Sequence, residues 1–437
     1  MTGWGRLGLA DRPGVRAGII VLAGSILGHL GNYLFYVVAA RSLGVEQFAE
    51  VTAMIAYSTI IAWPINGLQV AVARDVARMR GVDDLEGLAG LVSTLVRRGL
   101  VLGLALAAML IAISPVLLHW LDLSTIWLPV AAAVWIVLLV LLIVGTGVAQ
   151  GLERFGLFAV LLAGPLGLLR TLLLPLLVLI AGLTGSMLAM ALATLVGLAM
   201  IAPAVRRASA GPRRSVPFHP GAAMFALIAF ASMTNVDVLV VKATLDAGVA
   251  GAYSGAALIG KIALFAPSAL ALVLLPRAAA ALERGERAER AVVLTMGVTV
   301  ALGLAIAGML ALLPGSILAL TFGDDFEAAA TLLAPLALIM TMAAALNVHM
   351  TFSLARRSRR LPTLMVVGAL GHLLLLYFWH DSPAEIVRAT AVTLGVVLAV
   401  HEATSRFGLA RMGLTLLRSR SARAPQRPVE QGTGDGS

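Results

Sequence analysis

Twelve apolar stretches, most of about twenty residues or more, recur along this chain. A helix of about 20 apolar residues crosses the roughly 30 Å hydrocarbon layer of a bilayer, where every backbone polar group must find its partner within the protein. The stretches lie near 17–40, 50–73, 99–119, 126–149, 155–182, 185–205, 221–243, 248–276, 291–313, 328–352, 361–380 and 384–405. Only 12% of residues are charged against 60% apolar. The expected class is therefore an all-α polytopic membrane protein of about twelve spans.

The basic residues orient those spans. Arg6, Arg12 and Arg16 precede the first; Arg74, Arg78, Arg80, Arg97 and Arg98 follow the second; Arg154 follows the fourth. Arg206, Arg207, Arg213 and Arg214, then Arg277, Arg284, Arg287 and Arg290, then Arg356, Arg357, Arg359 and Arg360 continue the alternation, and the tail beyond 405 carries six more arginines. Five of the 32 Lys and Arg break it: Arg41, Lys242 and Arg388 in the opposite loops, and Arg170 and Lys261 within spans. The positive-inside rule then places both termini in the cytoplasm. The net charge of +10 follows from this bias. Because it is spread thinly over seven segments, anionic membrane lipids explain it better than nucleic acid. Arginine outnumbers lysine thirty to two, a usage that points to a GC-rich bacterial genome and so to a bacterial plasma membrane. The segment after Arg16 is too long for the core of a cleaved signal peptide, and the charge pattern needs it as the first span. With no cysteine, disulfides and thiolate chemistry are excluded.

A polar stretch rich in Arg, Ser and Pro at 206–217 divides six spans from six. Asn32, Pro64 and Arg74 recur as Asn235, Pro267 and Arg277, each displaced by 203 residues. The expected organisation is an N-terminal six-helix bundle (1–205), a cytoplasmic linker (206–220), a C-terminal six-helix bundle (221–405) and a largely disordered cytoplasmic tail (406–437), with a short amphipathic helix at 407–418. Like-oriented bundles of this kind place a substrate site between them and alternate its access.

Ionisable groups inside spans are costly and mark sites or partners. Arg170 and Lys261 lie roughly 18 and 20 Å below the outer ends of their spans, too deep to snorkel. Pro165 and Pro175 bracket Arg170 and are expected to disturb its helix. Two readings stand for this pair: cations that attract a phosphate-bearing substrate, or structural ion pairs such as Lys261 with Asp237. Asn32 and Asn235, at equivalent levels, suit interhelical hydrogen bonds or sugar contact, and Asp237 suits ion coupling or a pairing role. His29, His349, His372 and His401 read as core histidines. No metal-ligand spacing and no phosphate-binding Gly-rich loop is present, so no metal, cofactor or ATP hydrolysis is expected. Gly24, Gly28 and Gly31 read as helix-packing positions.

The run Arg41-Ser-Leu-Gly44-Val-Glu46-Gln-Phe48, together with Asn235-Val-Asp237, Gly248-Val-Ala-Gly251-Ala-Tyr253, Pro267 and the Leu-Pro-Arg ending at Arg277, resembles O-antigen-type polysaccharide flippases of the multidrug/oligosaccharidyl-lipid/polysaccharide exporter superfamily. One departure is Ala49-Glu50, where such proteins carry Gly-x-Tyr. The resemblance implies a MATE-like fold and a non-enzymatic flippase that carries polyprenyl-pyrophosphate-linked oligosaccharide outward by alternating access. It implies a lipid-linked glycan substrate and glycan-assembly proteins as partners. Arg170, Lys261, Asn32 and Asn235 would contact substrate, and Asp237 would couple an ion. A multidrug/cation antiporter of the same superfamily and a membrane glycosyltransferase or polymerase are the alternatives.

Overall fold

A computed structural model describes residues 13–214, 223–267, 289–356 and 358–405. Arg277 and the expected amphipathic helix at 407–418, together with the rest of the tail, lie outside the described residues, as do 215–222 of the linker. Helices make up the described chain, and no strand occurs in it. In order they are α1 (Pro13–Gly81), α2 (Leu85–Trp120), α3 (Trp127–Gly151), α4 (Phe155–Ala163), a π-helical turn (Gly164–Leu169), α5 (Arg170–Ala181) and α6 (Thr184–Ala208). Then follow α7 (Ala223–Met233), α8 (Val236–Thr244), α9 (Ala247–Gly260), α10 (Glu289–Leu312), α11 (Pro314–Thr321), a 3₁₀ segment (Asp324–Leu332), α12 (Leu333–Ala355), α13 (Arg360–Phe378) and α14 (Pro383–Thr404).

Ten of these helices are long and apolar enough to cross a bilayer, or eleven if the bent pair Met224–Met233 and Val236–Thr244 is one span. The apparent 69-residue helix α1 is two arms. At Gly44 the backbone adopts φ 76°, a left-handed conformation that glycine reaches without steric cost. Gly24, in the first arm, packs on Ala159, while Arg80, near the end of the second, donates to the Leu152 carbonyl. The first arm thus meets α4 and the end of the second meets the turn just before it, so the chain reverses at Gly44. The same turn fixes directions: Glu50 reaches Ser124 before α3, and Ala73 meets Gly151 at its end.

Packing follows membrane rather than aqueous rules. Leu172 and Leu179 on α5 are 75% and 84% exposed, an apolar belt that lipid would cover. Between helices, small residues replace a hydrophobic driving force. A methyl group added at Gly31 would sit 2.5 Å from the Gly167 carbonyl carbon, so this pair of backbones is in direct contact. The first arm of α1 packs on α4, the π turn and α5, and both arms together meet α7, α8 and α9. The face on which residues 13–208 meet residues 223–405, with α1 against α7, α8 and α9 at its centre, is called the seam below.

Candidate functional site

The backbone is irregular next to each deep cation. The Pro165-containing π turn ends directly before Arg170, so α5 starts there with its register shifted relative to α4. The expected disturbance around Arg170 is therefore present on its Pro165 side, while α5 runs on through Pro175. In the second case α7 and α8 meet at a 43° bend. Thr234 Oγ1 donates to the Phe230 carbonyl at 2.9 Å, and Asn235 Nδ2 donates to the Ala231 carbonyl at 2.8 Å, satisfying backbone acceptors that the break would orphan.

These irregularities aim the two asparagines. Asn235 turns its amide nitrogen to the α7 backbone, which leaves Oδ1 to accept from Lys261 Nζ at 2.7 Å. Asn32, on the first arm, accepts through Oδ1 from Arg170 Nη2. Arg170 also lies over the buried Phe35 ring, 5.4 Å from its centroid. Its Nε is buried without a hydrogen-bond acceptor. The sequence repeat thus pairs each recurring asparagine with a deep cation, although Arg170 and Lys261 are not themselves at repeat-related positions.

Lys261 does not pair with Asp237. Asp237 is fully buried, accepts from Tyr253 Oη at 2.8 Å through Oδ2, and leaves Oδ1 without a partner. Among the described residues, neither Arg170 nor Lys261 has a carboxylate within ion-pair distance. The hydrogen-bond acceptor of each, among the described residues, is a neutral amide, to which Arg170 adds the face of Phe35. A charge at mid-bilayer costs about 2.5–3.5 kcal/mol. One interhelical hydrogen bond returns about 0.6–2 kcal/mol. Each site is consequently short of negative charge.

Two cavities adjoin in the seam. The larger, about 550 Å³, is walled by Leu22, Ile26, Leu30, Ile262 and Phe265, with Asn32 among its few polar groups. The smaller, about 40 Å³, is lined by Lys261, Asn235, Tyr36 and Thr52 and shares Leu258 with the first. It has room for water and nothing larger. Arg170 lines neither and touches the seam through Asn32. The two cations therefore do not share one cavity. In this conformation there is an apolar cleft, with one cation in a small polar annex and the other one residue behind the wall.

The cleft runs from Leu22 to Tyr33, which lie about 33 to 16 Å from Gly44. It therefore occupies the part of the seam toward the arginine-rich face. The opposite end is closed. Arg41 donates to the carbonyls of Thr321 at 3.0 Å, Leu320 at 2.6 Å and Ala319 at 3.3 Å. Phe48 packs on Phe322 and Phe326 at 5.7 and 5.5 Å. Lys242 Nζ donates to the Asp122 carbonyl at 3.1 Å. Sequence reasoning missed this layer, yet Arg41 and Lys242 are two of the three basic residues in the loops opposite the arginine-rich face. The third, Arg388, bonds only within its own helix, to the Ala384 carbonyl at 3.3 Å. Glu50, the departure from the resembled motif, accepts from the Ser124 backbone and hydroxyl at 2.7 and 3.0 Å.

Two of the four histidines expected in the core are hydrogen-bonded inside the protein, while His29 stacks on Phe265 at 5.6 Å in the wall of the cleft. His372 contacts Thr390 Oγ1 at 3.2 Å and His349 contacts Glu402 at 2.7 Å. His349 and His401, on different helices, meet with ring centroids 4.5 Å apart and planes tilted by 59°, a proximity the sequence spacing could not reveal. No group of three potential metal ligands occurs among the described residues. Arg74 is an exposed surface residue beside Asp75, as an interfacial anchor would be.

No family model and no curated protein matches this chain. Solved structures do. An inward-facing multidrug resistance MATE family transporter of the MOP superfamily is similar with a TM-score of 0.72 at 15% identity, over 93% of this chain and 100% of that one. An outward-facing structure of such a transporter gives 0.61 at 16% identity, over 94% and 96%. A MOP superfamily transporter from Pyrococcus furiosus, whose binding pocket is described as having reversed polarity, gives 0.51 at 16%, over 93% and 94%. The chain has the all-helical fold of these transporters, and the inward-facing form is the more similar of the first two.

Proposed function

We propose that this protein is a bacterial plasma-membrane flippase that moves polyprenyl-pyrophosphate-linked oligosaccharide from the cytoplasmic to the outer leaflet, without enzymatic chemistry and without a cofactor. The observation that carries the reading is two deep cations, each held by a neutral asparagine, on either side of one apolar cleft: Lys261 in the annex beside it and Arg170 behind Asn32 in its wall. A polyprenyl tail fits the walls of Leu22, Ile26, Ile262 and Phe265, and a pyrophosphate supplies the negative charge that both cations lack. Arg170 would bind phosphate oxygens with two donors and Lys261 as a point charge, after Asn32 and Asn235 release them to the substrate.

In this proposal the chain crosses the membrane twelve times as two six-helix bundles, 1–205 and 221–405, with both ends cytoplasmic. The reversal at Gly44 and the bent α7–α8 pair support that count, and the arginine distribution supports the sidedness. The closed Arg41 layer then faces outward, in keeping with the closer likeness to an inward-facing transporter. Rocking of the bundles would open that layer, and the 40 Å³ annex would enlarge as it does. The polar head would traverse the seam, while the tail would stay against the cleft walls and the surrounding lipid. Membrane lipids and glycan-assembly proteins are the expected partners.

The test is translocation of a polyprenyl-pyrophosphate glycan in proteoliposomes by the chain carrying Arg170→Ala and Lys261→Ala. Loss of translocation with normal expression and an unchanged thermal midpoint is expected; unaltered translocation would overturn the assigned roles. One feature favours a second reading, cation-coupled drug antiport: Asp237, buried beside Tyr253 with one free oxygen, is a fit carrier for a coupling ion. Efflux of hydrophobic cations that Asp237→Asn abolishes, with glycan translocation intact in its absence, would select it.

A further inference from the structure

Away from the seam, a cavity of about 870 Å³ opens at the arginine-rich face, where α12 ends, α13 begins and α14 ends. Arg356, Arg359 and Arg360 line it, with hydroxyls from Ser353, Thr363 and Thr404. No Asp or Glu is among its described lining residues. The neighbouring acid, Glu402, is bound to His349 at 2.7 Å.

Two further features make this cleft selective. Helix α13, of 19 residues, starts inside it with Arg359 as N-cap and no side-chain acceptor for its first-turn amides. Its third residue is Pro362, which has no amide hydrogen, and the start of the helix presents the positive end of its dipole to the cavity. One wall is apolar, formed by Leu364, Val367 and Val400, of which Val367 is 60% exposed and Val400 is 39% exposed. Arginines, hydroxyls and a bare helix start beside an exposed apolar wall suit a phosphate that carries hydrocarbon.

We infer that this cleft binds the phosphate of an anionic phospholipid at the arginine-rich membrane surface, with an acyl chain along Val367 and Val400. None of its residues lines the seam cavities, so this site is separate from the proposed translocation path and does not rest on it.

The experiment uses the detergent-purified full chain and its Arg359→Gln, Arg360→Gln variant, both side chains being exposed and remote from the core. Thermal midpoints are followed with dioctanoyl phosphatidylglycerol, dioctanoyl phosphatidylcholine and inorganic phosphate at matched concentration. The glycerol lipid is expected to raise the parent's midpoint by about 3 °C, the scale of a ligand worth about 1 kcal/mol on a chain this large. The choline lipid should give under half of that and the variant should lose most of the rise, while its unliganded midpoint stays with the parent's. An equal rise with the choline lipid, an equal rise with inorganic phosphate, or an undiminished rise in the variant would each overturn the inference. An Arg359→Lys, Arg360→Lys variant guards against charge loss disturbing the fold, and it should retain most of the lipid effect.

Discussion

Arg170 and Lys261 face one difficulty, a charge deep in a helical protein, with different local backbones. Arg170 opens α5 directly after a π turn, stacks on Phe35 and keeps a buried Nε without an acceptor. Lys261 closes α9 and lines the small annex, and its acceptor is oriented by the break between α7 and α8. Both settle on an asparagine Oδ1. The shared choice teaches more than either site alone: a carboxylate would have quenched the charge, whereas an amide holds the side chain and leaves the charge available. The difference teaches about roles. Lys261 already meets a cavity in the seam, while Arg170 needs Asn32 to move before it can do so.

The largest expected effect comes from removing both charges. The Arg170→Ala, Lys261→Ala chain should lose at least about 100-fold in translocation rate, and each single variant about tenfold, corresponding to about 1.4 kcal/mol per factor of ten. Singles as damaging as the double would mean that the two cations act as one unit. Next come Asn32→Asp and Asn235→Asp, which supply the missing carboxylates. Each should cut translocation about tenfold while holding or raising the thermal midpoint, since a bound cation gains a charged partner. Full transport in either variant would break the argument that an unquenched charge is needed.

A third change separates the two sites. Gly31→Ala drives a methyl into the Gly167 backbone, and Gly31 O also accepts from Thr171 Oγ1 at 2.8 Å, one residue beyond Arg170. It should destabilise the N-terminal helices by about 1–3 kcal/mol and leave a chemical probe of Lys261 unaffected; equal disturbance at Lys261 would show that the sites are mechanically linked. The smallest effect concerns the closed end. Arg41→Ala removes three hydrogen bonds across the seam, two of them shorter than 3.3 Å, and should shift the open population of that end a few-fold, by about 1 kcal/mol. Because the natural chain has no cysteine, spin labels at Thr125→Cys and Asp246→Cys would report that distance distribution directly. An unchanged distribution would remove Arg41 from the latch.

Much of this was legible in advance because a bilayer imposes length and polarity rules on each helix separately. The spans fell near the observed helices, Pro165 marked a real departure from regular helix, and the gap between the first two spans holds the reversal at Gly44. Asn32 and Asn235 were picked out by a 203-residue echo. Their partners were not, since the pairing joins residues 138 apart in one case and 26 in the other. The proposed Lys261–Asp237 ion pair looked reasonable from depth alone. It failed because Tyr253 holds the Asp237 carboxylate while the α7–α8 break presents Asn235 instead. The Arg41 layer had one signal, a basic residue on the wrong side of the charge alternation, and its carbonyl partners near residue 320 have no sequence signature at all.

Taken alone, the order of residues determined that this chain must be a bundle of apolar helices with its arginines gathered on one face, because hydrocarbon tolerates neither free backbone groups nor unpaired charge. Which helices touch, which amide meets which cation, and which end of the seam stands shut were decided only by the folded arrangement. Those contacts depend on glycine-scale clearances and on the angles at two helix breaks, and neither quantity is written in composition or spacing.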